Sequence, residues 1–563
     1  MVINKSVSQK IFLPALVAVF SFFILESLYS SFLLFIGILY SVIFRRYYAL
    51  AQGTAVFGIL LTFLRSVDQA NNTVLISICI YVTLILGSIY KKEMLDQKEA
   101  LNKYQIFLIG ASILPGLIGY LGGSTEILRN MLYSYDFVGH FSMVRSLNAC
   151  TGFIAKCENY ENFTPSGYVI YPQQWHIIAA PFFDDNNLSV KLNSFSIIVT
   201  ATLMFSLIGI LFAFNTLSSL NQTSNNKKIQ NVFSTIIVSI MMLMYIYGYI
   251  NYIFSISLLF IGIAYITLGT NKKFVIGVTL LLLGASAYSL FFIPTILFVM
   301  TVLHFRNQKK LIGYISILIF GVVALRNVLM SIKTGQAEFI DTESRSESFV
   351  IPVLVSAIAY VYLNSKENNQ ELILPLKLMH YSTTLFGSTV LAYLFINNQL
   401  SGYYLYKLCV FLLLIQLFLI FIRLGNNIKK VAYILILLLP FAAIVNPMKR
   451  AVNVYGMQIG IFQDDGMRDL SSEIISAANY SFHTKKSIIV ANQRFYFSSQ
   501  WVNSLKGTWS VSLEADINAL LLLTSESTKI ESLPKEFEDR YVLVNNICSK
   551  DKVNPNCTTN KLQ

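Results

Sequence analysis

The chain has 563 residues, 55% of them hydrophobic and only 13% charged, and its formal net charge is +13. Soluble globular domains carry about 25% charged residues, so this composition excludes an ordinary soluble enzyme. The positive balance matches lysine- and arginine-rich loops on the cytoplasmic side of a membrane, with no need of a nucleic-acid partner.

Apolar runs of membrane-crossing length recur from residue 10 to residue 447. They predict about fifteen transmembrane helices, hence an all-α polytopic membrane protein. In chain order the spans are 10–27, 30–44, 49–65, 73–90, 104–121, 192–213, 231–248, 251–269, 274–288, 289–305, 311–325, 349–364, 372–396, 404–423 and 431–447. No small-residue cleavage site follows the first run, which reads as a retained span.

Residues 274–305 admit one long tilted helix or two short ones broken near Ser286–Ser289. Charge decides for two. With a break there, Arg45-Arg46, Lys91-Lys92, Lys227-Lys228, Lys272-Lys273, Lys309-Lys310 and Lys429-Lys430 all fall on one side, as the positive-inside tendency requires. The N-terminus is then cytoplasmic. The loops 122–191 and 326–348 and the tail from 449 are external, in the plasma membrane of a cell.

The chain divides into a transmembrane module, 1–448, and a C-terminal extracytoplasmic domain, 449–563, long enough to hold a core of its own. In that tail residues 467–479 read as helix, Ser487–Ala491 as a buried strand, Leu513–Thr524 as helix and Arg540–Asn545 as strand. This alternation predicts a small α/β domain. Two tryptophans, Trp501 and Trp509, lie there with Gln500 and Asn503; glycan binding and plain core packing are both open for them.

Of six cysteines, Cys79 and Cys409 sit inside apolar spans, Cys150 and Cys157 share the first external loop, and Cys548 and Cys557 share the tail. Two close pairs in external segments suggest disulfides in an oxidising space. Free thiols in a reducing space are the alternative.

The first external loop concentrates the polar chemistry. It holds Tyr135-Asp136-Phe137-Val138-Gly139-His140 and Tyr171-Pro172-Gln173-Gln174-Trp175-His176. Four residues apart, Asp136 and His140 share one face of a helix, and Phe137–Asn148 suits a short helix on the membrane with Asp136 at its start. Asp136 reads either as that helix's N-cap or as a carboxylate that takes a proton from an attacking hydroxyl. Trp175 is either an interfacial anchor or a platform for a sugar ring. Asp136, His140 and His176 would also suit a divalent metal; no other cofactor is indicated.

On these residues the chain resembles the GT-C superfamily, polytopic glycosyltransferases that use polyprenyl-phosphate sugars at the outer face of the membrane. It looks closest to the bacterial cell-envelope branch. The resemblance covers the layout of residues 1–450. It implies that Asp136 is the catalytic base of an inverting sugar transfer, and that His140, Tyr171, Gln174, Trp175 and His176 lie near donor and acceptor. The acceptor would be a glycan, a lipid or a protein. The chain departs from the family in carrying five spans before this loop, where many members have one, and Tyr135 where many members have a second acid. Asp184-Asp185, at the far end of the loop, are alternative carboxylates.

Such a donor needs cations at the outer interface. Lys407, in Gly402-Tyr403-Tyr404-Leu405-Tyr406-Lys407, lies just inside the outer end of a span, and Arg326 and Arg65 end two others. Charged groups beside a span are costly and therefore functional candidates; snorkelling to water is the plain alternative. Tyr403 and Tyr404 give Lys407 an aromatic collar, similar to a pattern in some members of the family. The polar loop 326–348 is either a lid or a solvated connection. No phosphate-cradling glycine loop or zinc-spaced set occurs. A lipid-saccharide flippase or transporter, and a polysaccharide polymerase or ligase, remain as other functions.

Overall fold

The computed structural model describes residues 30–43, 47–89, 101–132, 134–153, 173–219, 227–268, 271–306, 347–364, 374–396, 403–423, 465–480, 487–491, 495–507 and 541–545, with single positions 15, 17, 19 and 535. The fold is predominantly helical. In chain order the helices are α1 (Ser30–Ile43), α2 (Tyr47–Ser66), α3 (Thr73–Ile89), α4 (Lys103–Leu121), α5 (Ser124–Met131), α6 (Tyr135–Ala149), α7 (Gln174–Ala179) and α8 (Leu188–Ser219). There follow α9 (Lys227–Ile246), α10 (Ile250–Thr267), α11 (Asn271–Ala287), α12 (Phe292–Arg306), α13 (Glu347–Asn364), α14 (Leu374–Ile396) and α15 (Tyr403–Arg423). The tail contributes α16 (Asp465–Tyr480), β1 (Ser487–Ala491), α17 (Phe495–Lys506) and β2 (Tyr541–Asn545).

Five helices are long and apolar enough to cross a membrane: Lys103–Leu121, Leu188–Ser219, Lys227–Ile246, Ile250–Thr267 and Leu405–Ile422. Shorter apolar helices include Leu50–Ser66, Lys273–Ala287, Ser289–His304 and Val353–Tyr362. The expected spans 311–325 and 431–447, and all but three residues of 10–27, lie outside the described residues. The chain breaks between α11 and α12 at a single 3-10 turn, Ser289–Phe291, so 271–306 is two helices and not one.

Burial follows the pattern expected of a bundle in lipid. Two central helices, α8 and α10, are buried along the whole of their apolar stretches. Apolar side chains such as Phe63, Phe107, Leu121, Leu385 and Ile396 are exposed on the outside, where hydrocarbon is the compatible solvent. Helix α10 packs closely along α11. Gly262 and Gly277 make that approach possible, since a Cβ on either would lie 2.8 Å from the other's carbonyl oxygen. Small residues at helix interfaces are the common device for close packing in membranes.

The loop and the tail stack on this bundle. Helices α6 and α7 pack on each other, and α7 also on α2 and α11. The tail's α16 packs on α5, and its α17 on α6. β1 and β2 pair in parallel, Ser487 opposite Tyr541 through Ala491 opposite Asn545. Parallel strands need a long crossover, and α17 lies within it. The tail's described helices share one continuous apolar core with the loop through Leu470, Ile474, Trp501, Val502 and Leu505.

Candidate functional site

The site forms where α6 starts. Ser134 is its N-cap, in extended conformation, and its hydroxyl accepts from the Asp136 amide at 3.3 Å. Asp136 is therefore not the cap itself; it sits in the first turn, where the amide dipoles favour a negative charge. The Ser134 hydroxyl also donates to the Tyr247 carbonyl in the turn between α9 and α10.

That turn, Tyr247-Gly248-Tyr249, is tightly built. The Gly248 amide donates to the Tyr245 carbonyl at 2.8 Å and the Tyr249 amide to Met244 at 3.0 Å. Gly248 has φ +79°, the left-handed region that glycine occupies without strain. A Cβ there would lie 2.5 Å from the Ser134 hydroxyl, 3.1 Å from the Asp136 Cβ and 3.2 Å from the Phe137 amide nitrogen. The turn and the start of α6 are thus in close backbone contact.

Lys407, in the first turns of α15, reaches this point from the other side. Its ammonium lies 3.9 Å from an Asp136 carboxylate oxygen, with the lysine side chain 1% exposed and the aspartate 22%. The same ammonium sits 3.7 Å from the centre of the Tyr249 ring and 5.2 Å from that of Tyr288. Ring faces attract cations, most strongly when water is excluded. Tyr288 belongs to the break between α11 and α12, and its ring meets Tyr252 edge-on at 5.4 Å. The Tyr252 hydroxyl donates to the Lys407 carbonyl. Tyr247 and Tyr249 stack at 5.7 Å and are half-buried. A buried ammonium thus has one carboxylate and two aromatic faces around it, at the junction of four chain segments.

One turn along α6, His140 Nδ1 lies 2.8 Å from His176 Nε2 of α7. An N···N contact of that length needs one nitrogen to carry the proton and the other to accept it. Both rings are buried, and Trp175 packs against them at 5.5 and 4.8 Å. Burial first, then the Lys407 charge, hold His140 far below the ordinary histidine range, at about 3, against a hydrogen bond with the Gly248 backbone that raises it. The pair links α6, α7 and the Gly248 turn. Among the described residues, no group of three or more His, Cys, Asp or Glu side chains could hold a metal.

Several expected binding residues have structural duties instead. Arg65 turns inward and caps the C-terminal end of α6, donating to the carbonyls of Leu147, Cys150 and Gly152 at 2.6, 2.9 and 2.7 Å. It faces protein backbone, not a lipid phosphate. Gln174 accepts from the Thr62 hydroxyl at 3.0 Å and donates to the Gly58 carbonyl at 3.1 Å, which locks α7 onto α2. Trp175 is 2% exposed and donates to the Thr202 hydroxyl at 3.1 Å, so it presents no face to a sugar. Of the alternative acids, Asp185 lies 2.9 Å from both Arg145 and Lys191. Asp184 is buried and accepts from the Asn186 amide at 3.0 Å in a local turn.

The tail repeats the arginine device. Arg145, on α6, donates to the Ser504 and Leu505 carbonyls at 2.7 and 3.1 Å at the end of α17. Trp501 is buried 5.6 Å from Phe141; it is core and not a glycan platform. Cys79 and Cys409 are free and buried. Cys150 is disulfide-bonded; Cys157, Cys548 and Cys557 lie outside the described residues, as do Tyr171, Arg326, Trp509 and the loop up to residue 346. Tyr403 and Tyr404 begin the helix that carries Lys407.

The structure brings together Asp136 and Lys407, which are 271 positions apart in the chain. It adds Ser134, Gly248, Tyr249, Tyr252 and Tyr288, which sequence reasoning missed. The available signal was the Tyr-Gly-Tyr turn between two spans and a second tyrosine at the break in 271–306. The chain matches no protein family, no curated protein and no solved structure.

Proposed function

We propose that this protein is an integral membrane glycosyltransferase, of the GT-C kind, that moves a sugar from a polyprenyl-phosphate donor to a cell-envelope glycan, lipid or protein. The observation that carries the reading is the contact between Asp136 and Lys407. It places a partly accessible carboxylate beside a buried cation, as the two halves of the reaction require. Asp136 takes the proton of an acceptor hydroxyl. The acceptor oxygen bonds to the anomeric carbon as the bond from that carbon to the phosphate oxygen breaks, with inversion. The phosphate keeps the bonding electron pair and leaves on its lipid, and Lys407 balances the charge. Preorganised charge stabilisation of a leaving group is commonly the largest protein contribution.

In this reading about fifteen helices cross the plasma membrane with the N-terminus in the cytoplasm. The first loop and the α/β tail lie outside. One observation favours a transporter of a lipid-linked saccharide instead. Lys377, His380, Thr384 and Gln416 are buried in α14 and α15, with His380 Nε2 3.3 Å from the Gln416 amide, and polar groups inside spans mark transport paths. The discriminating experiment reconstitutes the protein in liposomes with polyprenyl-phosphate sugars and measures both release of polyprenyl phosphate and movement of intact donor between leaflets. Transfer that falls roughly 100-fold or more in Asp136→Asn, the usual worth of a general base, supports the enzyme. Movement of donor without release, unaffected by Asp136→Asn, refutes it.

A further inference from the structure

Every residue of α6 from Phe137 to Leu147 is buried, the polar His140, Ser142, Arg145 and Ser146 among them. A helix buried all round needs partners on every face. The bundle supplies several. Phe137 meets Tyr245 of α9 at 6.0 Å, His140 meets His176 of α7, and Arg65 of α2 binds the carbonyls at the C-terminal end of α6. The face made by Phe141, Ser142 and Arg145, which the helical period brings together, is covered by the tail. Trp501 of α17 packs on Phe141 at 5.6 Å, and the Ser142 and Ser504 hydroxyls share a hydrogen bond. The Arg145 guanidinium donates to the Ser504 and Leu505 carbonyls at 2.7 and 3.1 Å. The last carbonyls of a helix lack partners within it and attract cations, so an arginine from a neighbouring helix suits them. Gly507 makes room for it. It closes α17 with φ +82°, and a Cβ there would lie 2.7 Å from a guanidinium nitrogen. Arg145 also lies 2.9 Å from Asp185, which is itself 2.9 Å from Lys191 of α8.

We propose that Arg145 is a positioning residue: by capping α17 it ties the tail to α6, and so sets where Asp136 stands at the other end of that helix. The inference rests on the proposed function and adds the tail to its machinery. Asp136 and Arg145 are nine positions apart, which is about 13 Å along a helix. Over that length a tilt of roughly 5° moves the first turn by about 1 Å, and a displacement of about 1 Å costs up to about 100-fold in rate. Without the guanidinium, the Ser504 and Leu505 carbonyls lose a charged donor in a buried place, which is costly. The relief is for α17 to draw back from α6 and admit water. The helix that starts beside Asp136 then lacks support on one face. A second contact of the tail, Arg468 of α16 with Glu126 of α5 at 3.3 Å, has its arginine 63% exposed; exposed ion pairs contribute little, and this one does not involve α6.

The test alters this contact from both sides in the full-length protein. Arg145→Met removes the cap, and Arg145→Lys keeps the charge without the planar fork. Gly507→Ala pushes the guanidinium away while leaving α6 itself unsubstituted. Sugar transfer in liposomes gives kcat and KM, and hydrogen exchange follows the α6 amides from Phe137 to Phe141. In Arg145→Met and in Gly507→Ala, kcat should fall at least about tenfold with the donor KM within about twofold. Exchange should quicken at the start of α6, and the double change should cost little more than either alone, as for two changes to one contact. Arg145→Lys should recover part of the loss, and it takes the place of Arg145→Met where that variant folds poorly. Arg468→Gln should leave kcat unchanged. Unchanged kcat in both variants overturns the proposal, as do losses that multiply independently or exchange that quickens equally throughout the bundle. Wild type that moves no sugar refutes the proposed function, and exchange alone then decides the tie: quicker exchange at the start of α6 in both variants upholds it, and unchanged exchange overturns it.

Discussion

Gly248→Ala is the sharpest perturbation of the site that leaves every functional side chain unsubstituted. Glycine here has φ +79°, and a left-handed backbone costs an L-residue about 1–2 kcal/mol. The new Cβ would also lie 2.5 Å from the Ser134 hydroxyl. That hydroxyl cannot give way cheaply, because it both caps α6 at the Asp136 amide and donates to Tyr247. Losing an N-cap costs about 1 kcal/mol, so the total is roughly 2–3 kcal/mol. The start of α6 must move away from the turn, which carries Asp136 away from Lys407. The assay pairs thermal unfolding in detergent with the transfer rate in liposomes. Gly248→Ala should unfold at lower temperature and lose at least about tenfold in rate, in line with the cost of small misplacements at a reacting centre. Gly37→Ala and Gly110→Ala are controls, since a Cβ at either helix position meets nothing within 4 Å. Both should be neutral or slightly stabilising, because alanine suits a helix better than glycine. Gly248→Ala indistinguishable from these controls in both assays would refute the coupling of this turn to Asp136.

Arg65→Met should destabilise the protein by about 3 kcal/mol or more, because it leaves three carbonyls at the end of α6 without their charged donor; unfolding in detergent measures it, and a change in phosphate affinity without loss of stability would contradict the capping role. Trp175→Phe should cost about 1–2 kcal/mol through the lost bond to Thr202 while leaving the acceptor KM unchanged, and a KM effect at constant stability would return Trp175 to the binding site. The buried histidine pair makes stability depend on pH. His140 titrates at about 3 in the folded chain against 6.5 for the ordinary side chain, so between those values only the unfolded state binds the proton. Its contribution is complete above about pH 6.5 and declines on acidification toward pH 3, by roughly 2 kcal/mol at pH 5 (1.5 pH units at about 1.4 kcal/mol each). Unfolding midpoints of wild type and His140→Asn across pH 7.5 to 5 check this; equal slopes would contradict it.

What could be read from the sequence was whatever cost free energy to place. A lysine just inside an apolar span and an acid at the start of a helix are both expensive in lipid, and the structure brings the two to 3.9 Å of each other. Charge on the loops decided for two helices in 274–305, and the structure breaks there at Ser289–Phe291. In the tail, the strands at 487 and 541 were legible from apolar runs. The direction in which a side chain points was not legible. Arg65, Gln174 and Trp175 have the composition of a binding site, yet each bonds inward to α6, α2 or α8. Tyr249 and Tyr288 carried only the weak signal of a turn and a break between spans, because tyrosines are common at membrane interfaces for anchoring alone. Their role depends on four segments meeting around one ammonium, a property of tertiary structure only.

The central claim is that Asp136 and Lys407 act as one unit, and a double-mutant cycle on the transfer rate tests it most directly. Rates are measured in liposomes for wild type, Asp136→Asn, Lys407→Met and the double variant, each checked for folding by monodisperse elution. Groups that act together are strongly non-additive. The account predicts that each single change removes nearly all transfer and that the double change costs little more than either alone. Losses that multiply independently, or full activity in Asp136→Asn, would contradict it.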